Sequence, residues 1–221
     1  LILVNDGSRD ESWEILYRYA LENPCITAID LARNYGQQAA IFCGLEISRG
    51  DYVLTLDDDL QNPPEEMGRL IEKALEGYDL VFGRFREKRH SWFRRFGSFV
   101  IRNLNKRMYG KPRQLAVSNF RIFRRDLVDQ MISHAVKRPY IQGLALKFSK
   151  RCTDVWVHHQ EREGGSSQYR FYQFVRTLTE LISTFVSFRF YTAKKTVPYT
   201  MKRMVRGSHD ASRAHAVHNS V

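Results

Sequence analysis

The run Leu56-Asp57-Asp58-Asp59-Leu60-Gln61-Asn62-Pro63-Pro64 sets three carboxylates side by side, directly after an apolar, strand-like segment. Adjacent carboxylates repel, and a divalent cation relieves the repulsion. Hard oxygen ligands suit Mg²⁺ or Mn²⁺, with a diphosphate filling the remaining positions. The competing reading is a solvated acidic turn that caps the helix opened by Pro63 and Pro64. A triplet that ends an apolar strand in an α/β pattern favours the metal. A second run, Val4-Asn5-Asp6-Gly7-Ser8-Arg9-Asp10-Glu11-Ser12, puts Asp6 at another strand end, where a carboxylate can meet a base or a ribose. A plain strand-to-helix turn capped by Asp10 or Ser12 accounts for that run equally well.

The cations lie elsewhere. Lys88 to Arg113 contains nine Lys and Arg residues and no acid, and a second basic stretch runs from Arg189 to the end. Net charge is +11, from 35 Lys and Arg against 24 Asp and Glu, so anionic partners are expected. Trp92, Phe93, Phe96 and Phe99 interleave with Arg94 and Arg95, which suits a lipid-headgroup surface. A solvated basic helix face is the plainer account. Nucleic acid is not expected as a partner, because no zinc-finger, RNP-type or helix-turn-helix pattern is present. Cys25, Cys43 and Cys152 are isolated, which fits a reducing compartment and no structural zinc. His158 and His159 are neighbours on a strand, point to opposite faces and are read as structural.

These groups need a scaffold, and the first eighty residues supply one. Leu1–Val4, Ile26–Leu31, Asp51–Leu56 and Tyr78–Phe82 read as strands. Ser12–Leu21, Gln37–Ile47 and Pro64–Leu75 read as helices between them. This alternation predicts a parallel sheet covered on both faces, with ligands beyond the carboxyl ends of its strands. Further on, the pattern predicts a basic amphipathic helix over Trp92–Tyr109, a strand over Phe120–Phe123 and a helix over Asp126–His134. It also predicts a helix over Gly143–Phe148, a strand over Thr153–His158 and a long helix over Phe171–Phe188. The last residues, from Arg206 to Val221, lack periodicity and read as a disordered or non-native extension.

Taken together the motifs are specific. The strand-Asp-Gly-Ser run is followed about fifty residues later by a strand ending Asp-x-Asp. Between them lie Asn34-Tyr35-Gly36-Gln37-Gln38-Ala39-Ala40, Gly44 and Arg49-Gly50-Asp51-Tyr52. This set resembles the family 2 glycosyltransferases of GT-A fold. Asp59-Leu60-Gln61-Asn62-Pro63-Pro64-Glu65 and Arg162-Glu163-Gly164-Gly165-Ser166-Ser167-Gln168-Tyr169 resemble the polyprenyl-phosphate subgroup, which includes dolichyl-phosphate mannose synthases, bactoprenol glucosyltransferases and the undecaprenyl-phosphate aminoarabinose transferase. Val157–Glu163 is most similar to the last of these. Asn119-Phe120-Arg121 stands where the subgroup often has Asp-Phe-Arg.

The resemblance implies an α/β nucleotide-diphospho-sugar transferase, a GT-A fold with a mostly parallel central sheet flanked by helices. It implies a catalytic domain over 1–170 lacking the family's first strand, a juxtamembrane amphipathic helix over 171–190 and a basic, disordered tail over 191–221. Asp57, Asp59 and Gln61 correspond to the metal and diphosphate set, and Asp58 replaces a residue that is usually small. Asp6, with Asp57, corresponds to the nucleotide contacts. Arg84, Arg94 and Ser98 fall where the family binds acceptor and donor phosphates. Arg162, Ser167 and Tyr169 correspond to a loop closing over the donor, with Arg162 counted among the catalytic residues. The implied activity is inverting transfer from a nucleotide sugar to a polyprenyl phosphate, undecaprenyl or dolichyl, with Mg²⁺ or Mn²⁺. The implied place is the cytoplasmic face of an anionic membrane, the bacterial inner membrane, and a homo-oligomer is compatible with it. Two other readings remain: a soluble glycosyltransferase acting on a glycan or protein hydroxyl, and a non-catalytic anion-binding module. The first is disfavoured by Asn119 and the basic, Phe-rich helix, the second by the acidic triplet.

Overall fold

The computed structural model describes residues 1–58, 62–85, 115–134, 139–158, 179 and 197–207. In chain order the described elements are β1 (Ile2–Asn5), α1 (Ser12–Glu22), β2 (Thr27–Leu31), α2 (Gln37–Ile47), β3 (Tyr52–Thr55), a 3₁₀ turn (Pro64–Glu66), α3 (Met67–Leu75), β4 (Leu80–Arg84), β5 (Arg121–Arg124), α4 (Arg125–Ser133), α5 (Ile141–Phe148), β6 (Cys152–Trp156) and β7 (Met201–Arg206). They fall into two compact units. The first holds the described residues of 1–48 together with 139 and 197–207, and the second holds the rest.

In the first unit β2 is the central strand, parallel to β1 and antiparallel to β7. Every residue of β2 after Thr27 is buried. Ile29, Leu31 and Cys43 form one core cluster, with Ile2, Val4, Tyr35, Ala40, Met201 and Met204 packed on it. Trp13, Ala20, Ala28 and Val205 form another. One buried carboxylate ties the sheet together. Asp30 Oδ1 accepts from Asn5 Nδ2 at 2.8 Å, and Asp30 Oδ2 accepts from Arg203 Nε and Nη2 at 3.1 and 2.8 Å. Arg203 also lies over the Trp13 ring, 4.6 Å from its centroid. The disordered tail expected over 191–221 is therefore corrected in its described part: Met201–Arg206 is a strand. Met204 and Val205 pack inward while Arg203 meets Asp30, a match visible only once β2 is alongside.

In the second unit the strand order is β3-β5-β4-β6. β5 is antiparallel to both β3 and β4, and β6 is parallel to β4. The α/β class stands, but the described sheets are mixed rather than mostly parallel. Alternation along a strand reports which face is buried and says nothing of a neighbour's direction. β3 and β4 do run the same way, with β5 inserted between them. The helix expected over Pro64–Leu75 begins as a 3₁₀ turn, with Pro64 at its first position. Met67, Leu70 and Ala74 on α3 pack with Val81, Phe120, Ile122 and Val157. Those positions recur at helical spacing, one face toward the sheet. Asp79, just before β4, accepts from Ser149 Oγ and from the Lys150 and Arg151 amides, which fixes the turn from α5 into β6. No described helix is long and apolar enough to cross a membrane. The helix expected over Trp92–Tyr109, that over Phe171–Phe188 apart from Thr179, and the residues after Gly207 lie outside the described residues.

Removing the Asp30 carboxylate leaves Asn5 and a largely fixed guanidinium without their acceptor. Asp30→Ala should cost about 3 kcal/mol, read as a lower urea midpoint, and Arg203→Ala, which leaves the buried Asp30 carboxylate without its guanidinium, should cost at least as much. Cys43 is buried and Cys25 exposed. Burial pushes the Cys43 thiol up to about 12 from 9.0. Its folded value stands above its unfolded one, so its contribution to stability is full below pH 9 and declines as pH rises past it. At pH near 8 iodoacetamide should label Cys25 and spare Cys43 until denaturant is added, read by mass spectrometry.

Candidate active site

In the first unit Asp6 stands just past β1. Its two carboxylate oxygens accept from the backbone amides of Tyr35 and Gly36, each at 2.7 Å. Those amides open α2, so a negative group there also meets the positive end of the helix. Gly7 has φ of +68°, and a Cβ on it would lie 2.5 Å from the Arg33 carbonyl carbon and 2.6 Å from the Asn34 amide nitrogen. Only glycine lets the two turns come this close. Asn5 Oδ1 accepts from the Ser8 amide at 3.2 Å. Asp10, and not a cap on the helix proper, accepts from the Ser12 amide and hydroxyl. The hydroxyl and then the amide of Ser12 hold the Asp10 carboxyl below the usual carboxylate range.

In the second unit the antiparallel course of β5 is decisive. Its first residue, Arg121, pairs with Thr55 on β3 and Phe82 on β4. The carboxyl ends of β3 and β4 and the amino end of β5 therefore share one edge, and β6 joins through Arg84 opposite Trp156. The segment entering β5 is fastened on both sides. Thr55 Oγ1 donates to the Asn119 carbonyl at 2.6 Å, and the Gly83 amide donates to the Phe120 carbonyl at 2.8 Å. Ser118 Oγ lies 2.8 Å from the carbonyls of Gly83 and Phe120. A Cβ on Gly83 would stand 2.8 Å from Phe120 Cδ1, so glycine is needed for the approach.

Asp57 follows β3 at this edge, half-buried, and Asp58 beside it is exposed. Asp57 Oδ2 accepts from Asn119 Nδ2 at 3.3 Å. Arg121 is 1% exposed. Burial draws its guanidinium down to about 10, against the pull of Tyr140 and Asp57, so it is charged at neutral pH. It also lies over the Phe123 ring at 5.4 Å. Arg84, at the end of β4, is held on both sides. Asp154 grips it through a hydrogen bond of 2.8 Å from Nη2 to Oδ2 and an ion-pair contact of 2.8 Å between Nε and Oδ1. Its guanidinium lies 5.0 Å from the centroid of Trp156, an indole 55% exposed. Asp154 Oδ2 also accepts from the Ala116 amide at 2.6 Å, which anchors the start of the segment leading to Asn119.

Of the residues singled out from the sequence, Asp57 and Arg84 stand at the edge of the second unit and Asp6 belongs to the first. Asp59, Gln61, Arg94, Ser98, Arg162, Ser167 and Tyr169 lie outside the described residues. The described part of the donor set, a carboxylate at a strand end beside a neutral amide, fits a hard divalent cation. Sequence reasoning assigned no role to Asp154, Trp156 or Arg121. The signals were present: a carboxylate inside the alternating strand after Cys152, and an arginine within Phe120-Arg121-Ile122-Phe123.

The second unit is thus an α/β scaffold with a carboxylate and a clamped guanidinium at one strand edge. The chain belongs to glycosyl transferase family 2, whose model matches residues 1–132. Among solved structures it is similar to glucosyl-3-phosphoglycerate synthase from Mycobacterium tuberculosis in complex with Mn²⁺, uridine-diphosphate-glucose and phosphoglyceric acid. That match has a TM-score of 0.59 and 17% identity, over 84% of this chain and 68% of the other. The same synthase in complex with phosphoglyceric acid gives a TM-score of 0.61 and 17% identity, over 90% and 77% of the two chains. A mycobacterial protein gives 0.57 and 20%, over 83% and 64%. At these identities the likeness is one of fold.

An aspartate at position 119 would set its carboxylate against that of Asp57 instead of an amide donor. Asn119→Asp should lower stability by about 1–2 kcal/mol at neutral pH. Thermal melts should show the deficit shrinking on acidification toward pH ~4, where carboxyls take up protons.

Proposed function

We propose that the chain transfers a sugar from a nucleoside diphosphate to a polyprenyl phosphate, inverting the anomeric centre in one in-line displacement. The observation that carries the choice of acceptor is Asn119, whose amide donates to Asp57. An amide cannot take a proton from an acceptor hydroxyl, and a hydroxyl acceptor needs a base. A phosphate monoester needs none, since its second pKa of about 6 leaves it largely dianionic at neutral pH. The complexes of the similar synthase with Mn²⁺, uridine-diphosphate-glucose and phosphoglyceric acid support a metal-dependent nucleotide-sugar donor.

Asp57, with Asp59 and Gln61, would hold Mg²⁺ or Mn²⁺. When bound, such a cation supplies Lewis-acid stabilisation of the charge that develops on the departing diphosphate. Arg84 meets the acceptor phosphate from a fixed direction, because Asp154 and Trp156 immobilise its guanidinium before the ligand arrives. Partial neutralisation by Asp154 tempers its pull, so release of the product phosphate is not penalised. Asp6 shapes the loop at Tyr35 and Gly36 on which the nucleotide rests, as well as facing the base or ribose. Arg94, Ser98, Arg162, Ser167 and Tyr169 complete the phosphate and donor contacts. The basic, aromatic stretch between Lys88 and Arg113 supports a site at the cytoplasmic face of an anionic membrane, the bacterial inner membrane.

The test incubates the full-length protein in membranes with polyprenyl phosphate, Mn²⁺ and a panel of nucleotide sugars. A β-linked polyprenyl-phosphate sugar should form from an α-linked donor, with the anomer assigned by NMR. Asp57→Ala should lower turnover by at least about 10³-fold. Arg84→Ala should act mainly on KM for the lipid phosphate, raising it about tenfold. Transfer to a glycan or protein hydroxyl with none to the lipid phosphate, or a product of retained configuration, would reject the proposal.

A further inference from the structure

Arg121 is buried to 1% exposure in a setting that does not satisfy it. Its Nε and Nη2 are shielded from water and have no hydrogen-bond partner among the described residues. Burying a charged group with donors unmet is costly, and packing does not explain it, since a methionine would fill similar space without the charge. Its electrostatic neighbours are Tyr140 and, with a smaller effect, Asp57, the one carboxylate of the two. The register places Arg121 across from Thr55, two residues before Asp57. Asn119, on the same crossing segment, donates to that same carboxylate.

We infer that Arg121 is a built-in counter-cation for the carboxylate end of β3, a positioning residue that steadies Asp57 and restrains its capture of a divalent cation until an anionic diphosphate arrives. The inference rests on the metal-dependent reading above. A fixed positive charge behind the carboxylate opposes a second cation in front of it, and the same charge favours a diphosphate. The cation is thereby taken up with the donor, not ahead of it. Arg121 touches neither ligand and acts through Asp57.

The experiment titrates the full chain with Mn²⁺ by calorimetry, without nucleotide, and compares it with Arg121→Met, Arg121→Gln and Arg121→Lys. The neutral variants should bind Mn²⁺ about tenfold tighter than the parent, and the lysine variant within about twofold of it. A purely structural role gives the opposite sign, because a loosened Asp57 binds metal more weakly. Unchanged or weaker binding by Arg121→Met, in protein that still unfolds cooperatively, would overturn the inference. Should that variant not fold, Arg121→Gln must meet the same requirement. A parent that binds no Mn²⁺ with or without nucleotide would remove the metal-dependent reading as well, which separates the two failures.

Discussion

The antiparallel insertion of β5 between β3 and β4 gives Asp57 its neighbours. With β3 and β4 side by side, the carboxylate would face another strand end of like direction. With β5 between them, the segment 118–121 arrives head-on at both strand ends and brings an amide and a guanidinium with it. The bonds from Thr55 to Asn119 and from Gly83 to Phe120 hold that segment in register. A slip by one residue would turn Asn119 and Arg121 away from the edge and bring Phe120 toward it. Gly83 sets the tolerance, since the phenyl ring of Phe120 occupies the space of a β-carbon.

The charges at this edge are paired in an order that fits anion chemistry. Arg84 is shared with Asp154 and stacked on Trp156, so its direction is fixed at the expense of some of its pull. Asp57 has a neutral donor on one oxygen and the buried Arg121 among its electrostatic neighbours. Preorganised groups of this kind need little rearrangement when charge moves, which is where electrostatic catalysis draws its advantage.

The first unit solves a different problem. Its turns approach closely, and backbone amides there need acceptors. Asp6 supplies both of its oxygens to Tyr35 and Gly36, and Gly7 allows the chains to meet. Asp30 does the equivalent within the sheet, where one buried carboxylate fastens Asn5 and Arg203 to opposite sides of β2.

The sequence alone determined the α/β class, most element positions and the acidic and basic groups worth watching. The bounds of Gln37–Ile47 were legible to the residue, while packing decided that Ala39, Phe42, Cys43 and Leu45 are its buried positions. Asp57 was legible because it closes an apolar strand, and Arg84 through the resemblance to the family. The tertiary structure decided what periodicity does not carry: that β5 runs against its neighbours, and that Met201–Arg206 returns to pair with β2. It also decided which charges meet, Arg84 with Asp154, Asp57 with Asn119 and Arg121, Asp30 with Arg203. Local sequence fixes which face of an element is apolar. Direction, register and partner choice are set by packing between segments far apart in the chain, and those pairings turn a set of plausible residues into a site.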